Sequence, residues 1–257
     1  MTEPRTPLLA HEWIAGLEKG LTVIEAFDAE HPRMTATEVG RRCGITRTAA
    51  RRYLKTLAHL GYMGSDGKLY WLMPRTLRLG HAFIESARLP KLVQPLLQRI
   101  TTGTDEIAYL GVVDGDDTIF LARSGSSRHT AGGYWPGTRV PAQITAAGMA
   151  ILASWPEAEL DAWLHNRHLP TFTSHTLANA QHLRTALQEF RRRGWSLSEQ
   201  QLDLNYRGVA VPLMDRHNVV HGAISVTMPI NREETDHALQ RVLPVMQEAA
   251  KSLRPLL

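Results

Sequence analysis

The sequence predicts an α+β protein in two parts, a small helical part ending in a hairpin and a larger part built on a mostly antiparallel sheet. Three observations predict this arrangement. Helix-start signals and glycine turns recur over the first 73 residues. From residue 90 onward, strand-like and helix-like runs are mixed without strict βαβ alternation. Residues 1–80 hold 12 Lys and Arg against 8 Asp and Glu, whereas residues 81–257 hold 17 of each, so the basic excess lies in the smaller part.

The composition is that of a globular protein with a substantial core. The chain has 257 residues, of which 43% are hydrophobic and 21% charged, enough for one large domain or two modest ones. No apolar run approaches the roughly 18 residues that a membrane span needs. The N-terminus lacks the basic stretch followed by an apolar stretch that is typical of a secretory signal. The single cysteine, Cys43, cannot form an internal disulfide. We therefore expect a cytoplasmic protein with no membrane contact.

The first two predicted helices have clear boundaries. Apolar residues recur every three or four positions over Trp13–Phe27, which predicts the first helix. Thr35 and Glu38 have the spacing of a capping box, which predicts a short helix from about residue 36 to residue 43. Gly44 then supplies the left-handed residue for a sharp turn.

A third helix and a hairpin complete the small part. The third helix is predicted from Thr46 to about His59, with Gly61 just beyond its end. Asp66-Gly67 lies between two short β-prone runs and is a strong hairpin signal. Two short helices joined by a glycine turn and followed at once by a hairpin describe a winged helix-turn-helix. The small part is thus predicted to bind double-stranded DNA.

The third helix carries the candidate DNA contacts, because in this motif the second helix of the pair enters the major groove. Arg47, Thr48 and Arg51 are the candidates for reading bases, since an arginine fork can donate to both acceptors of guanine. Phosphate contacts, which position the protein without reading sequence, are predicted for Arg41, Arg42, Arg52, Lys55 and Lys68. The alternative interpretation is a small helical domain with a solvated basic face.

A linker helix is predicted over residues 74–89, beginning at Pro74. DNA half-sites related by a two-fold axis favour a dimeric reader. In the larger part, residues 90–257, strands are predicted at Ile107–Val113, Thr118–Arg123, Trp195–Ser198, Gly208–Met214 and Val220–Met228. Helices are predicted at Lys91–Thr102, Thr145–Trp155, Pro156–Asn166, Leu177–Arg193 and Glu233–Leu253.

The sequence carries no signature of catalysis. It has no Gly-x-Ser-x-Gly elbow, no phosphate-binding loop ending in Lys-Ser/Thr and no Gly-x-Gly-x-x-Gly. His165, His168 and His175 form the best metal candidate, but no cysteine or paired carboxylate accompanies them, and a solvated helix end is the better interpretation. We therefore predict no enzymatic activity, no metal and no cofactor.

Along nearly its full length the chain resembles the IclR family of bacterial regulators. In the small part the matching stretches are Leu17–Leu21, Gly44–Arg47, Arg52–Leu54 and Leu60–Tyr62. In the larger part they are Gly137–Ala142, Thr145–Gly148, Gly194–Trp195, Val209–Pro212 and Ala223–Val226. Residues 23–27 and the arginine-rich helix look most like the subgroup that controls catabolism of aromatic acids such as protocatechuate and p-hydroxybenzoate.

The resemblance implies a winged helix-turn-helix, a linker helix and a GAF-like effector-binding domain, working as a homodimer or homotetramer. Carried over by motif, the effector pocket would involve Thr145, Ala146, Ala147, Ser198, Gly208, Ser225 and Thr227. Two of these placements also have a physical reason. A helix N-terminus offers free amides to a carboxylate, and Ser225 and Thr227 face the same side of one strand.

The chain departs from the family pattern in ways that bear on the effector. It has Gln200-Gln201 where acidic residues are usual, Asn205 for a glycine and Met149 for a lysine. A pocket with fewer acidic groups should accept an anion more readily. We expect Arg123 and Arg139 to pair with a carboxylate and Tyr134 and Trp135 to stack on a ring. The alternative for each is a surface ion pair or ordinary core packing.

The predicted function is sequence-specific DNA binding by a transcriptional regulator that a small organic acid, aromatic by resemblance, controls through the larger domain. RNA polymerase is a further candidate partner. Two alternatives stay open at this point. An enzyme with a winged-helix appendage would turn over candidate acids. A constitutive DNA binder with a ligand-free dimerisation domain would show no small-molecule shift in melting temperature.

Overall fold

A computed structural model of the chain describes residues 8–9, 11–125, 133–165 and 167–257. These residues form two compact units, one before Ala87 and the other from Ala87 to Leu257. The predicted linker consists of a 3-10 turn at Pro74–Thr76 followed by a helix that ends at Ser86. That helix clusters with the N-terminal unit, and the boundary falls three residues before the predicted one.

The N-terminal unit consists of four helices and a small sheet among its described residues. The helices are α1 Ala15–Glu25, α2 Ala36–Arg42, α3 Arg47–His59 and α4 Leu77–Ser86. The strands are β1 Met34–Thr35, β2 Met63–Ser65 and β3 Leu69–Leu72, in the order β1-β3-β2. The sequence predicted the β2–β3 hairpin but not β1, which is only two residues long.

Local signals in the sequence set the helix starts. The capping box is present, since the Thr35 amide donates to Glu38 Oε2 at 2.7 Å and the Glu38 amide donates to Thr35 Oγ1 at 3.3 Å. Thr46 is the N-cap of α3 and accepts from the Ala49 amide at 3.2 Å. Gly44 has φ +64°, as the sharp turn between α2 and α3 requires.

Only one side of α1 packs against the core of this unit. Val23, Val39, Ala50 and Leu54 are fully buried. Part of the apolar repeat that predicted α1 faces outward instead, and Leu17 is 60% exposed. The exposed members of that repeat are Ile14, Leu17 and Leu21.

The C-terminal unit holds a six-stranded sheet in the order β6-β5-β4-β9-β8-β7, in which every pairing is antiparallel. The strands are β4 Ile107–Asp114, β5 Asp117–Ser124, β6 Arg139–Pro141, β7 Ser196–Glu199, β8 Tyr206–Met214 and β9 Val220–Pro229. The helices are α5 Arg88–Thr104, α6 Ala146–Ala153, α7 Glu157–Leu164, α8 Ala180–Arg193 and α9 Thr235–Leu253. The predicted mixed α+β architecture is confirmed.

The sheet is covered on both faces because successive side chains on its strands alternate. Leu110, Val211 and Ile224 pack with α5 and α9 on one face. Tyr109 and Ala210 pack with α6 on the other face. Helices α7 and α8 cover the far side of α6, so all eight residues of α6 are buried.

Small residues bring α6 close to the sheet. A Cβ at Gly148 would lie 2.3 Å from the Ala142 carbonyl oxygen and 2.5 Å from Thr118 Oγ1, so a side chain does not fit there. A Cβ at Gly208 on β8 would lie 3.2 Å from the Ala146 side chain. The start of α6 is therefore seated on the middle of the sheet. None of the described helices is long and apolar enough to cross a membrane.

Candidate effector cavity and nucleic-acid interface

Helix α3 has a buried face and a basic face. Ala50, Leu54 and Leu57 are its buried residues and fix the helix on the core of the N-terminal unit. The predicted base-reading residues are all exposed; they are Arg47, Thr48 and Arg51. Arg52 and Lys55 are also exposed on this helix. The structure thus brings these five predicted DNA contacts together on one helix.

The remaining predicted phosphate contacts lie around α3. Arg41 is exposed at the end of α2, and Lys68 is exposed at the tip of the β2–β3 hairpin. Arg42 already has partners within the unit, since its guanidinium donates to Asp28 Oδ2 at 2.7 Å and lies 2.8 Å from His31 Nδ1. We therefore assign Arg42 first to holding α2 against the end of α1.

The hairpin is held by its own turn. Asp66 Oδ1 accepts from the amides of Lys68 and Leu69 at 3.0 and 2.8 Å, and these hydrogen bonds lower the pKa of Asp66. Arg33 lies over the Trp71 ring at 4.3 Å and joins the hairpin to β1. Lys68 therefore projects from an ordered turn.

The C-terminal unit contains a cavity of about 370 Å³ on the α6 face of the sheet. This is the size range of small-molecule sites in proteins. Eight of the predicted effector-binding residues line it: Tyr134, Thr145, Ala146, Ala147, Ser198, Gly208, Ser225 and Thr227. The lining also includes Phe120, Gly133, Ile144, Gln201, Leu202, Asp203, Tyr206, Arg207 and Val226.

The N-terminus of α6 forms the floor of this cavity. Thr145 is its N-cap and accepts from the Gly148 amide at 3.0 Å. The Thr145 hydroxyl also lies 2.7 Å from that of buried Thr118, which fixes the cap to β5. The Ala146 and Ala147 amides lie in the first turn, where a helix has no internal acceptors to offer. A carboxylate suits this position, since free amides and the helix dipole both favour negative charge.

The hydroxyl groups beside the floor differ in availability. Ser198 Oγ donates to the Ile144 carbonyl and Ser196 Oγ to the Ala146 carbonyl, so both support α6. Ser225 and Thr227 face the cavity from β9, opposite Ala210 and Gly208 on β8. Their side-chain oxygens have no hydrogen-bond partner among the described residues. These two hydroxyls are the ones free to bind a ligand.

An aromatic wall borders the cavity. The Phe120 and Tyr134 rings are stacked, with centroids 4.4 Å apart and planes 6° from parallel. Tyr109 lies against both, and its hydroxyl oxygen accepts from the Tyr134 amide at 3.3 Å. Burial is the main cause that raises the pKa of Tyr134 to about 12, and it also raises the pKa of Tyr109. Both phenols are therefore neutral at physiological pH.

Three predicted effector contacts do not border the cavity among the described residues. Arg139 is half-exposed on the edge strand β6, where its guanidinium pairs with Asp117 at 3.1 Å and Asp114 at 3.4 Å. Arg123 lies over the exposed ring of Trp135 at 4.3 Å. For Arg139 the observed arrangement is a surface ion pair, which was the alternative to a contact with the effector. Arg139 is therefore engaged at the surface, whereas pairing of Arg123 with a carboxylate stays a prediction.

Arg207 borders the cavity, and its guanidinium pairs with Glu199, although its Nη1 has no hydrogen-bond partner among the described residues. It neighbours Gly208 on β8, so its side chain points to the opposite face of the sheet. There its Nε lies 3.1 Å from Glu199 Oε1, which also accepts from Thr235 Oγ1 on α9 at 2.9 Å. Arg207 is only 5% exposed. We therefore assign it to joining β7, β8 and α9.

Several lining residues were not predicted from the sequence. Phe120 is an inward position of a predicted strand, and alternation along that strand could have identified it. Leu202, Asp203 and Tyr206 lie in or next to the β7–β8 connection. No local pattern indicates that a connection folds over a cavity, so these three carried no signal.

Two further groups of the chain were considered for their chemistry, its histidines and acidic residues as metal ligands and its single cysteine. The described residues contain no group of three or more His, Cys, Asp or Glu placed to hold a metal ion. Cys43 is partly buried, and its Sγ lies 3.7 Å from the Thr22 carbonyl oxygen. Burial raises the pKa of this thiol, which makes it less reactive.

Comparison with known proteins relates both units to one family. Residues 16–67 match the family described as IclR helix-turn-helix domain, and residues 81–254 match that described as Bacterial transcriptional regulator IclR C-terminal. The chain is similar to the Pca operon regulatory protein of Acinetobacter baylyi, with 34% identity covering 97% of this chain and 92% of that protein. It is also similar to the p-hydroxybenzoate hydroxylase transcriptional activator of the same organism, with 32% identity covering 95% and 92%.

A solved structure resembles the C-terminal unit. It is a double mutant of the inducer-binding domain of the PobR transcription factor from Acinetobacter, in complex with 3-hydroxybenzoic acid. The TM-score is 0.62 at 25% identity, covering 66% of this chain and all of that one. Both relatives are named as regulatory proteins. With a helix-turn-helix in one unit, a ligand-sized cavity in the other and both family matches, this chain belongs to the IclR family of bacterial transcriptional regulators.

Proposed function

We propose that this regulator binds operator DNA through α3 and the β2–β3 hairpin, and that an aromatic carboxylic acid in the α6 cavity changes its affinity for the operator. The observation that carries the proposal is the cavity itself. It combines an aromatic wall, the open N-terminus of α6 and two unengaged hydroxyls from β9. The relatives' names support the choice of aromatic acids, since they include p-hydroxybenzoate and 3-hydroxybenzoic acid.

The proposed binding mode follows from the distribution of polarity. The carboxylate lies at the start of α6, near the amides of Ala146 and Ala147 and the hydroxyls of Ser225 and Thr227. The ring lies along Tyr134 and Phe120. Binding in the middle of the sheet, rather than on an exposed edge, lets a small ligand favour one conformational state of the unit.

On the DNA side we propose that Arg47, Thr48 and Arg51 contact base edges. Phosphate contacts are made by Arg41, Arg52, Lys55 and Lys68. Arg42 also contacts a phosphate, in addition to its ion pair with Asp28. A pair of recognition helices reads an operator with two half-sites, so we propose a homodimer as the smallest form that binds the operator. A homotetramer would consist of two such dimers. RNA polymerase is a proposed further partner, and the cytoplasm the proposed location.

One binding experiment tests the proposal. Fluorescence anisotropy with duplex DNA from upstream of the regulator's own gene is measured with and without 3-hydroxybenzoate, 4-hydroxybenzoate or 3,4-dihydroxybenzoate. We expect at least one acid to change operator affinity by fivefold or more, on the order of 1 kcal/mol of coupling. Arg51→Ala should weaken operator binding by about 1–3 kcal/mol, whereas the exposed Arg192→Ala on α8 should leave it unchanged.

The outcomes separate the alternatives. If operator binding is tight but no acid alters it or raises the melting temperature, the chain is a constitutive DNA binder. If Arg51→Ala and Arg192→Ala behave alike and affinity is indifferent to salt, α3 is not the DNA-contacting helix.

A further inference from the structure

We propose that Asp203 selects the ring substituent of the effector, favouring a hydroxylated aromatic monocarboxylate and rejecting an aromatic dicarboxylate. This inference rests on the proposed function, because it requires an aromatic acid in the α6 cavity. It adds a specificity-determining residue that lies in the β7–β8 connection and was not among the predicted effector contacts.

A gradient of burial gives the cavity a floor and a rim. Ala147 and Ser225 are 1% and 4% exposed, so the start of α6 and the middle of β9 form the floor. Tyr206 is 45% exposed and Asp203 is also exposed, and both border the same cavity. A ligand whose carboxylate lies on the floor thus presents its opposite edge to Asp203.

Asp203 is held in place but keeps one oxygen unused. Its Oδ1 accepts from the backbone and side-chain amides of Asn205 at 2.9 and 3.0 Å, and its carbonyl accepts from the Tyr206 amide at 3.2 Å. Among the described residues no donor approaches Oδ2 and no cation pairs with the carboxylate. The turn therefore orients a carboxylate that still has an acceptor oxygen to offer.

Competing acceptors at the rim are weaker candidates. Gln201 Oε1 already accepts from the Leu177 amide at 2.7 Å. Asp203 is the single carboxylate among the described residues that line the cavity. Its charge also acts on the aromatic wall, because Asp203 is one of the groups, after burial and Tyr109, that raise the pKa of Tyr134.

The chemistry of one carboxylate at the rim discriminates between substituents. A phenolic hydroxyl on the ring donates to Asp203 in a charge-assisted hydrogen bond. A methoxy group of similar size has no proton to donate. A second carboxylate on the ring would face a like charge, which disfavours binding. The sequence predicted few acidic groups in this pocket, and Asp203 places one at the end away from the effector's own carboxylate.

The test compares matched ligands on matched variants of the full chain by isothermal titration calorimetry. The ligands are benzoate, 3- and 4-hydroxybenzoate, 3- and 4-methoxybenzoate, and terephthalate. We expect the wild type to prefer a hydroxybenzoate over the methoxybenzoate of the same ring position by about tenfold. Asp203→Asn keeps the size of the side chain and the acceptor for Asn205 but removes the charge. It should reduce that preference to about threefold or less, leave benzoate within about threefold, and strengthen terephthalate binding.

Opposite shifts for the hydroxybenzoate and terephthalate cannot arise from a general loss of folding. Asp236→Asn, a surface carboxylate in the first turn of α9, is the control and should change none of the ratios. If the hydroxyl preference survives in Asp203→Asn, the proposal is overturned while the proposed function stands. If none of the six acids binds the wild type, the aromatic-acid assignment fails and this inference fails with it.

Discussion

Hydroxyl groups that look equivalent in the sequence have different tasks in the structure. Ser198, Ser225 and Thr227 were all predicted to bind the effector, and all three line the cavity. Only Ser198 is engaged, because its hydroxyl donates to the Ile144 carbonyl just before α6. Strand alternation could predict which way these residues point, but not which hydroxyls the fold already uses.

This difference predicts two separate mutational effects. Ser225→Ala should weaken effector binding by about 1.5–3 kcal/mol, because it removes a hydrogen bond to a charged group, and should barely change stability. Ser198→Ala should instead lower the free energy of unfolding by about 1–3 kcal/mol, because it leaves a buried carbonyl without its donor. Calorimetric affinities and urea unfolding of both variants check this, with Ser252→Ala on α9 as the control. Equal loss of affinity in both would contradict the assignment.

At the scale of single residues, the turn between β8 and β9 also leads to a prediction of how the free energy of unfolding depends on pH. His221 donates to Asp215, as do the amides of Val219 and His217, and these hydrogen bonds lower the pKa of Asp215 from 3.8 to about 2. A folded-state pKa below the unfolded value contributes stability above about pH 4 that is lost as pH falls toward 2.

The measurement compares urea midpoints of wild type and Asp215→Asn from pH 7 down to the lowest pH at which the protein stays folded. The wild type should be the more stable at pH 7, and the gap should narrow below about pH 4. Asp236→Asn provides the matched comparison without these hydrogen bonds. A constant gap over the whole range would show that the carboxylate's charge plays no part.

At the scale of secondary-structure elements, the sequence predicted helix boundaries best where an N-cap residue or a glycine marks them. Helix α3 begins after Thr46, and α6 begins after Thr145, as the hydroxyl N-caps indicate. The strands β1 and β6, of two and three residues, escaped prediction because runs so short carry no periodicity. Arg139 lies on β6, so missing that edge strand also misplaced a predicted effector contact.

The close seating of α6 predicts opposite effects for two glycine-to-alanine changes. Gly148→Ala places a methyl group against the Ala142 carbonyl and Thr118, so it should destabilise the chain by about 1–3 kcal/mol or more. Gly103→Ala lies in α5 with its nearest neighbour at 3.9 Å, so it should stabilise by about 0.5–1 kcal/mol. Thermal and urea unfolding give both values. A tolerated Gly148→Ala would mean that α6 can shift on the sheet.

At the scale of the whole molecule, charge and apolar surface are divided unequally between the two units. The basic excess of the sequence lies in residues 1–80. The same unit exposes large apolar side chains on α4 and on or just before α1, and apolar surface of this kind marks an interaction site where it is contiguous. They include Ile14, Leu17, Leu21, Leu77, Leu79 and Phe83. The sequence alone indicated apolar periodicity in both helices but not which stripe would stay uncovered, since that depends on how each helix packs.

The exposure of these residues leads to a prediction of how a charged substitution among them affects dimer formation. Phe83 is 52% exposed, and Phe83→Glu should shift the chain toward monomer in sedimentation velocity and weaken operator binding by tenfold or more, because a dimer gains affinity by engaging two half-sites. Leu17→Glu should act in the same direction. Phe172→Glu, at a 45% exposed position in the C-terminal unit, is the control. An unchanged sedimentation coefficient in both test variants would assign subunit contacts to another surface.

The burial of α6 limits which positions can change the effector specificity of this regulator. The limit applies both to natural variation and to engineering of the regulator as a biosensor. All eight residues of α6 are buried, so larger side chains in this helix would disturb the packing around it. Changes in recognition are therefore expected at the cavity rim, at Leu202, Asp203 and Tyr206, which are exposed or half-buried. A mutant library confined to those three codons should yield altered inducer profiles, whereas one directed at Ala146–Ala153 should yield mainly unfolded chains.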